Sequence, residues 1–235
     1  FLTFASISFS KVMRIFSLAA DPALGKVGKE SFDQITLMEL FVQDIEDRTN
    51  IYGSEPYTSN ILQWSGVYLD NEKKVIRIAW QRKSLEGCLH LEWLPNTLKV
   101  LWISLHPKLT GSLDFTALPD TMKEVFLRKN AFDGTIDLRS LPHGLTDLNV
   151  SNNRLESTPD LTCLPNTLEL LSLGENSFSG SIDGSMLPDS LTFLSLSGNT
   201  FLEGTLFLNH LYNDEGDIIQ VKNFHTKDTK VRLMD

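Results

Sequence analysis

Few residues of this 235-residue chain have the types and spacing that enzyme chemistry needs. Histidine, a common catalytic and metal-binding residue, is present five times, at His90, His106, His143, His210 and His225. These positions do not have ligand spacing, and the sequence contains neither H-E-x-x-H nor G-x-S-x-G. We therefore expect no catalytic residue, no metal site and no cofactor.

Two short segments are partly similar to phosphate-binding or cation-binding loops, but each departs from the required pattern. In residues 25–30 (GKVGKE), Glu30 stands where a phosphate loop has its metal-binding Ser or Thr, and Ala23 occupies the required glycine position. Asp214, Glu215 and Asp217 are acidic but do not have the spacing of a calcium loop. We interpret both segments as solvated loops.

The elements that must position any functional side chain are copies of one motif. The motif begins at Leu94, Leu118, Leu141, Leu164 and Leu187, so the starts are 24, 23, 23 and 23 residues apart. Each copy follows the template L-P-x-x-L-x-x-L-x-L-x-x-N-x-F-x-G-x-I, and a degenerate copy precedes them from Val75. This period is typical of stacked solenoid repeats.

The template predicts the structure of each repeat. The L-x-L pair alternates as in a β-strand, so we expect one short parallel strand per repeat. The asparagine that follows can satisfy backbone groups where the chain leaves the strand, and glycines such as Gly134 and Gly180 allow the next turn. One copy buries too few apolar side chains to fold alone, so the copies must stack.

The repeat frame divides the chain into three parts. We predict about six copies of 23–24 residues over residues 75–211, an N-terminal flank with a helical cap over residues 1–74, and a C-terminal cap or tail over residues 212–235. Residues 31–45 are expected to form the cap helix, because Ser31 and Gln34 have capping-box spacing and Met38, Val42 and Ile45 recur on one face. Ile219 and Val221 are a candidate last strand.

The first twenty residues allow two interpretations. The segment starts with Phe1 and is mostly apolar, but Lys11 and Arg14 interrupt it, so we expect no membrane-spanning segment. It is either the remainder of a signal segment or a helix packed on the repeats. The first interpretation leaves a secreted or surface location open.

Charge and cysteine content also restrict the partners and the compartment. The formal net charge of −9 argues against a nucleic-acid or anionic membrane partner, because both favour a basic protein face. Cys88 and Cys163 fall three repeats apart, about 14 Å at about 4.8 Å per strand. A disulfide needs Cα atoms within about 7 Å, so both are expected to be free thiols, which favours a reducing, cytoplasmic compartment.

The copies resemble leucine-rich repeats of the plant-type class, and the resemblance covers about residues 62–211. The L-P-x-T-L openings at Leu94 and Leu164 are also similar to protist proteins of this kind, including kinetoplastid ones. Residues 64–67 (WSGV) are similar to the W-x-G-V motif before the first plant-type repeat, although Tyr68 stands where that flank normally has a cysteine. The resemblance implies a curved α/β solenoid that binds proteins or peptides on its concave parallel sheet.

The pleat of the predicted sheet identifies the side chains that its concave face presents. They flank the inward leucines of each strand. The candidate protein-binding residues are Arg82, Trp102, Glu124, Phe126, Arg128, Asp147, Asn149, Leu170 and Phe193. Arg77, Ala79 and Gln81 lie on the same face in the first coil. Trp102 and Phe126 should be neighbours, and exposed aromatic rings near arginines are typical of interface hot spots.

These observations favour a non-catalytic module for protein–protein interaction, whose protein or peptide partner the sequence does not name. One alternative is the ligand-binding ectodomain of a surface antigen or receptor-like protein, which glycosylation at the sequon Asn149-Val150-Ser151 would favour. The other is the substrate-recruiting part of a larger enzyme. A structural interpretation of Trp102 and Phe126 also stays open, because the two rings can simply pack against each other.

Overall fold

The computed structural model describes residues 28–52, 60–207, 211–212, 218–220 and 223–234. The expectations for residues 1–20, for the first half of the GKVGKE segment and for the acidic residues 214–217 lie outside this part. Within it, no helix is long and apolar enough to cross a membrane. The same residues contain no group of three or more His, Cys, Asp and Glu side chains that could hold a metal ion.

The described chain consists mainly of short strands. They are β1 (Val67–Leu69), β2 (Val75–Gln81), β3 (Glu86–Cys88), β4 (Val100–Ser104), β5 (Lys108–Thr110), β6 (Glu124–Phe126), β7 (Asp133–Thr135), β8 (Asp147–Asn149), β9 (Arg154–Glu156), β10 (Leu170–Ser172), β11 (Ser179–Gly184), β12 (Phe193–Ser195), β13 (Phe201–Phe207), β14 (Leu211–Tyr212), β15 (Ile218–Gln220), β16 (Asn223–His225) and β17 (Lys230–Met234). The α-helices are α1 (Gln34–Phe41) and α2 (Thr49–Tyr52). Short 3-10 helices span Lys29–Ser31, Ile61–Gln63, Leu91–Trp93, Phe115–Ala117 and Leu138–Ser140.

One strand from each repeat joins a long sheet with the order β1-β2-β4-β6-β8-β10-β12-β16. All neighbours in this long sheet are parallel except β1, which pairs antiparallel with β2. The return segments form smaller parallel sheets, β3-β5, β7-β9 and β11-β13-β17. This arrangement confirms the predicted solenoid with a parallel sheet.

The apolar core lies between the long sheet and the return segments. The central inward residues of its strands are in register and almost fully buried: Ile78, Leu101, Val125, Leu148, Leu171 and Leu194. Phe132 and Phe178, from the F slot of the template, pack into the same cluster. Because each coil covers its neighbour's apolar face, the stacked coils together form the hydrophobic core that a single repeat lacks.

An asparagine ladder fixes the end of each strand to the coil before it. The Nδ2 group of Asn153 donates to the carbonyls of Leu127 and Val150, both at 2.9 Å, and its Oδ1 accepts from the Phe132 N–H at 3.1 Å. Asn130, Asn176 and Asn199 make the equivalent three contacts. The side chain thus satisfies both donors and acceptors where the strand ends.

The coil at Leu94 uses a histidine in the same slot. His106 is fully buried, its Nδ1 accepts from the Leu85 N–H at 3.3 Å, and its Nε2 lies 3.1 Å from the Trp80 carbonyl oxygen. These contacts match the acceptor and one of the donors of the asparagines. The template did not predict this role, because a histidine has no place in its asparagine position.

The N-terminal helix is shorter than the predicted span 31–45. Helix α1 starts at Gln34, and Asp33 caps it by accepting from the Thr36 N–H at 2.8 Å, so Ser31 is not the cap. The Gln34 amide instead accepts from the Val75 N–H at 3.0 Å and donates to the Lys73 carbonyl at 2.6 Å. Its capping-box role was a wrong prediction, because that amide joins the flank to strand β2.

The flank packs directly on the first coil. Phe41 stacks on Trp80 with 5.9 Å between ring centroids, and Met38, Val42 and Ile45 are almost fully buried beside them. Ile45 also forms an isolated antiparallel bridge with Gly87. These contacts join the flank to the apolar core of the first coil.

At the other end, strands continue after Leu211. Strand β16 pairs parallel with β12, and β17 pairs parallel with β13. Ile219, expected in a last strand, lies in β15, which pairs antiparallel with β14, whereas Val221 is outside the described residues. Cys88 and Cys163 are both free thiols, as expected.

Candidate functional site

The long sheet presents one side to the core and the other, here called the outward face, away from it. Two rows of side chains cross the outward face, perpendicular to the strands. The first row contains Tyr68, Arg77, Val100, Glu124, Asp147, Leu170 and Phe193. The second row contains Ala79, Trp102, Phe126, Asn149, Ser172, Ser195 and His225. Rows of this kind arise because alternate residues of paired strands point to the same side.

An aromatic–arginine cluster occupies the N-terminal end of the outward face and consists of Tyr68, Arg77, Trp102 and Phe126. The Arg77 guanidinium carbon lies 5.5 Å from the Tyr68 ring centroid and 5.6 Å from that of Trp102. The Trp102 and Phe126 ring centroids are 5.5 Å apart at an interplanar angle of 40°. The two guanidinium–ring distances are within the range of cation–π interactions, and the ring–ring distance is within the range of aromatic pairing.

Two donors of the aromatic–arginine cluster are unsatisfied. Arg77 Nε and Trp102 Nε1 are buried and have no hydrogen-bond partner among the described residues. Unpaired buried donors are costly and rare in folded proteins. Tyr68 remains 52% exposed, and Trp102 and Phe126 are only partly buried. The cluster therefore combines open apolar surface with unused donors.

Arg82 and Arg128, the two arginines among the predicted binding residues, lie beyond the ends of their strands and outside the two rows. Arg82 and Arg128 are exposed and follow the ends of β2 and β6, and Arg82 has a left-handed φ of 52°. Arg77, in contrast, lies between two of the rings of the cluster. The arginine that packs at the aromatic pair is thus Arg77.

The remaining candidates lie along the two rows. Glu124 and Asp147 are in register on the neighbouring strands β6 and β8, and Leu170 and Phe193 follow in the first row. The Phe193 ring lies 5.3 Å from the His225 ring, at the C-terminal end of the face. Asn149 is in register with Phe126, and its Oδ1 accepts from the Ser151 hydroxyl at 2.7 Å.

Sequence reasoning missed the role of Tyr68. The W-S-G-V segment suggested a motif before the first repeat, but nothing in it indicated that β1 would pair antiparallel with β2. This pairing puts Tyr68 opposite Arg77 in register. The Tyr68 ring is therefore the second ring, besides Trp102, that contacts the guanidinium. A signal was available in the alternation of Val67, Tyr68 and Leu69, which is typical of an edge strand with one exposed residue.

Comparison with known proteins supports the fold. No protein-family model matches the sequence, and no curated protein sequence matches it. Among solved structures, the chain is similar to a pollen receptor kinase 3, with 23% identity, a TM-score of 0.63, and coverage of 85% of this chain and 95% of that one.

Two further solved structures are from Arabidopsis. The leucine-rich repeat ectodomain of the receptor kinase SOBIR1 is 26% identical, with a TM-score of 0.55 and coverage of 73% of this chain and 95% of that one. The receptor kinase HAESA, in complex with the peptide hormone IDA and the co-receptor SERK1, is 21% identical, with a TM-score of 0.52 and coverage of 73% and 38%. Together with the repeat geometry, these likenesses identify the fold of this chain as that of a leucine-rich repeat solenoid.

Proposed function

We propose that the chain is a non-catalytic module that binds a protein or peptide on the outward face of its long sheet. The observation that carries the proposal is the aromatic–arginine cluster. Tryptophan, tyrosine and arginine are the residues most enriched at energetic hot spots of protein interfaces. Here the three residue types lie side by side on the outward face.

The composition of the rest of the face supports the same function. The second row continues with small polar residues, Asn149, Ser172 and Ser195, and the first row ends with Leu170 and Phe193. The aromatic cluster at one end of the face is thus followed by polar residues, and protein interfaces combine apolar anchors with polar residues beside them. The similar HAESA structure is a complex with a peptide hormone and a co-receptor, which supports a peptide or protein as the ligand class of this fold.

The direct test is affinity capture from a lysate of the native cell, with the wild-type chain and the double variant Phe126→Glu/Arg128→Glu as baits. A matched control is Phe201→Glu/Arg232→Glu, which makes the same two changes at exposed residues of the β11-β13-β17 sheet. Circular dichroism must show equal folding of the three baits.

The proposal predicts a partner that the wild type and the control variant retain and that the outward-face variant loses. If all three baits retain the same partners, the outward face is not the binding site. If only the control variant loses them, the smaller sheet is the site instead.

A second candidate function is the ligand-binding ectodomain of a receptor-like protein. The similarity to the SOBIR1 ectodomain, at 26% identity, favours it. The sequon at Asn149 lies on the outward face, half-buried, so a glycan there would cover the second row. A mass decrease on enzymatic deglycosylation of the chain from its native source would support this candidate, and an unmodified mass would count against it.

The finer organisation of the chain also belongs to this proposal. We assign residues 1–74 as the N-terminal flank and cap, 75–211 as plant-type repeats on a curved sheet and 212–235 as the C-terminal cap or tail. The packing of Phe41 on Trp80 supports the capping role of the flank, and the Asn153, Asn176 and Asn199 ladder supports the repeat class. The similarity to protist repeats rests on the L-P-x-T-L openings.

A further inference from the structure

The first row of the outward face has a cation, Arg77, near its N-terminal end. Among the described residues, the Arg77 guanidinium has no carboxylate partner, and its recorded contacts are the rings of Tyr68 and Trp102. The rings hold the group in place but do not neutralise it, and Nε has no acceptor. The chemistry that satisfies this group is a carboxylate, because a carboxylate accepts the N–H bonds of a guanidinium and balances its charge.

The same row continues with two carboxylates, of which that of Asp147 accepts a hydrogen bond from the Thr146 hydroxyl at 2.7 Å. Glu124 and Asp147 stand opposite each other on neighbouring strands, and neither forms an ion pair with another described residue. Like charges directly opposite in a sheet destabilise it. A cation placed between them removes this repulsion, so the pair is complementary to a lysine or arginine side chain.

The distance between the two charged sites follows from the strand order. Glu124 is two strands and Asp147 three strands from Arg77, which corresponds to about 10 Å and about 14 Å at about 4.8 Å per strand. Apolar surface lies between them, formed by Val100 in the first row and by Trp102 and Phe126 in the second. An extended peptide advances about 3.3 Å per residue, so residues four apart are separated by about 13 Å and point to the same side.

We propose that the outward face selects an extended peptide with an acidic and a basic side chain four positions apart and an apolar side chain midway between them. The acidic side chain pairs with Arg77, the basic one with Glu124 and Asp147, and the apolar one contacts Trp102 and Phe126. This proposal rests on the proposed function and names the ligand class of the same face. A purely acidic peptide is repelled by Glu124 and Asp147, and a purely basic one by Arg77.

The test is a selection of random 12-residue peptides displayed on phage against the wild-type chain, with the Phe126→Glu/Arg128→Glu variant as the counter-selection target. The expected result is enrichment of sequences with opposite charges four positions apart and an apolar residue between them. If the enriched peptides depend on the outward face but have no such charge pair, the ligand class is wrong and the proposed function stands. If no peptide distinguishes the wild type from the variant, both fail.

A charge exchange then tests the pairing with Arg77. The variant Arg77→Glu should bind an enriched synthetic peptide at least about tenfold more weakly than the wild type, since breaking one close charge pair at an interface has an effect of this size. A peptide whose acidic residue is replaced by lysine should bind Arg77→Glu better than it binds the wild type. Arg232→Glu, an exposed arginine on the smaller sheet, serves as the control and should leave binding unchanged.

The variant Arg77→Gln keeps the result interpretable if Arg77→Glu does not fold, because it removes the charge without adding the opposite one. It should lose affinity for the acidic peptide but not for the same peptide with the acidic residue changed to glutamine. Equal losses for both peptides would overturn the pairing of Arg77 with the acidic side chain.

Discussion

The Nδ1 atom of His106 lies 3.3 Å from the backbone nitrogen of Leu85, in the position that an asparagine oxygen takes in the following coils. Because Nδ1 accepts this bond, the proton of the neutral imidazole is on Nε2, which donates to the Trp80 carbonyl at 3.1 Å. A second proton on Nδ1 would face the Leu85 N–H. Burial, the largest cause, and the positive charge of Lys83 lower the pKa of His106 below its ordinary value, although the bond to Trp80 opposes the shift.

This geometry predicts a loss of stability in mild acid. As the pH falls below about 6.5, the unfolded chain takes up a proton on this histidine that the folded chain does not. The free energy of unfolding should therefore decrease by up to about 1.4 kcal/mol per pH unit until the lowered folded-state pKa is reached. Urea unfolding between pH 5.5 and 7.5 measures the effect.

The control for this prediction is His106→Asn, which restores the residue of the other coils and does not titrate. The other four histidines are the same in both proteins, so the relevant quantity is the difference between wild type and variant. That difference should grow in favour of the variant as the pH falls. A difference that does not change with pH would show that His106 is protonated equally in both states.

The asparagine ladder should carry a large part of the stability of each coil. Asn130 is buried, donates to the carbonyls of Ile103 and Leu127 at 2.9 and 2.8 Å, and accepts from the His106 N–H at 2.9 Å. Asn130→Ala removes three buried hydrogen bonds, although the His106 N–H still donates to the Lys129 carbonyl and the Leu127 carbonyl still accepts from Asn153. The loss should cost about 1–3 kcal/mol. Asn166→Ala, at an exposed asparagine, should stay within about 0.5 kcal/mol of the wild type in the same urea titration. Similar losses for both would contradict the ladder's role.

A row of hydroxyl groups also joins neighbouring coils, and one position lacks it. Thr121, Thr167 and Ser190 donate to carbonyls of the preceding coil at 2.7, 2.8 and 2.7 Å, whereas Gly144 occupies the same template position. A Cβ added at Gly144 meets only the flexible Lys123 side chain. Gly144→Ser should therefore stabilise the chain by about 0.5–1.5 kcal/mol, through the new bond and a less flexible unfolded state.

The matched control for this stabilisation is Gly180→Ser. Gly180 has a φ of +85°, and an added Cβ would collide with the Thr158 hydroxyl. This variant should lose about 1 kcal/mol or more in a thermal unfolding experiment. If Gly144→Ser is destabilised to the same degree, a hydroxyl at position 144 does not form the hydrogen bond that Thr121, Thr167 and Ser190 form.

The sequence predicted the solenoid because its inward residues are the ones that the template names. Leu148, Leu171 and Leu194 follow an invariant spacing, and only a stack of coils can bury them together. The role of His106 was not predictable from the template. An imidazole can make hydrogen bonds similar to those of an amide, but the template specifies only asparagine at this position. The prediction that Ser31 caps the N-terminal helix was also wrong. Asp33 is the cap instead, and the Gln34 side chain makes two hydrogen bonds to the first coil.

The outward face was only partly predictable for a different reason. Alternation along a strand shows which residues point outward, and Trp102 and Phe126 lie as neighbours there. It does not show which long side chain reaches which ring. Arg77 lies between Tyr68 and Trp102 because β1 folds back on β2. The alternation of residues 67–69 indicates a strand, but it does not show which strand pairs with it.

The two sides of the long sheet should respond differently to truncation. Leu148 is fully buried, so Leu148→Ala should cost about 2–5 kcal/mol. Phe126 is only partly buried and pairs with Trp102, so Phe126→Ala should cost about 1 kcal/mol. Urea titrations of both variants measure the contrast. Equal costs would mean that Phe126 belongs to the structural core rather than to a binding surface.

The most direct measurement is site-specific photo-crosslinking in the native cell, with a photoreactive phenylalanine analogue at position 126 or, as the matched control, at position 201. Phe201 is 72% exposed on the smaller sheet, so it is the more accessible of the two. If the outward face is the ligand site, position 126 captures a defined protein or peptide that position 201 does not. Capture at position 201 alone, or none at position 126, would contradict the central claim.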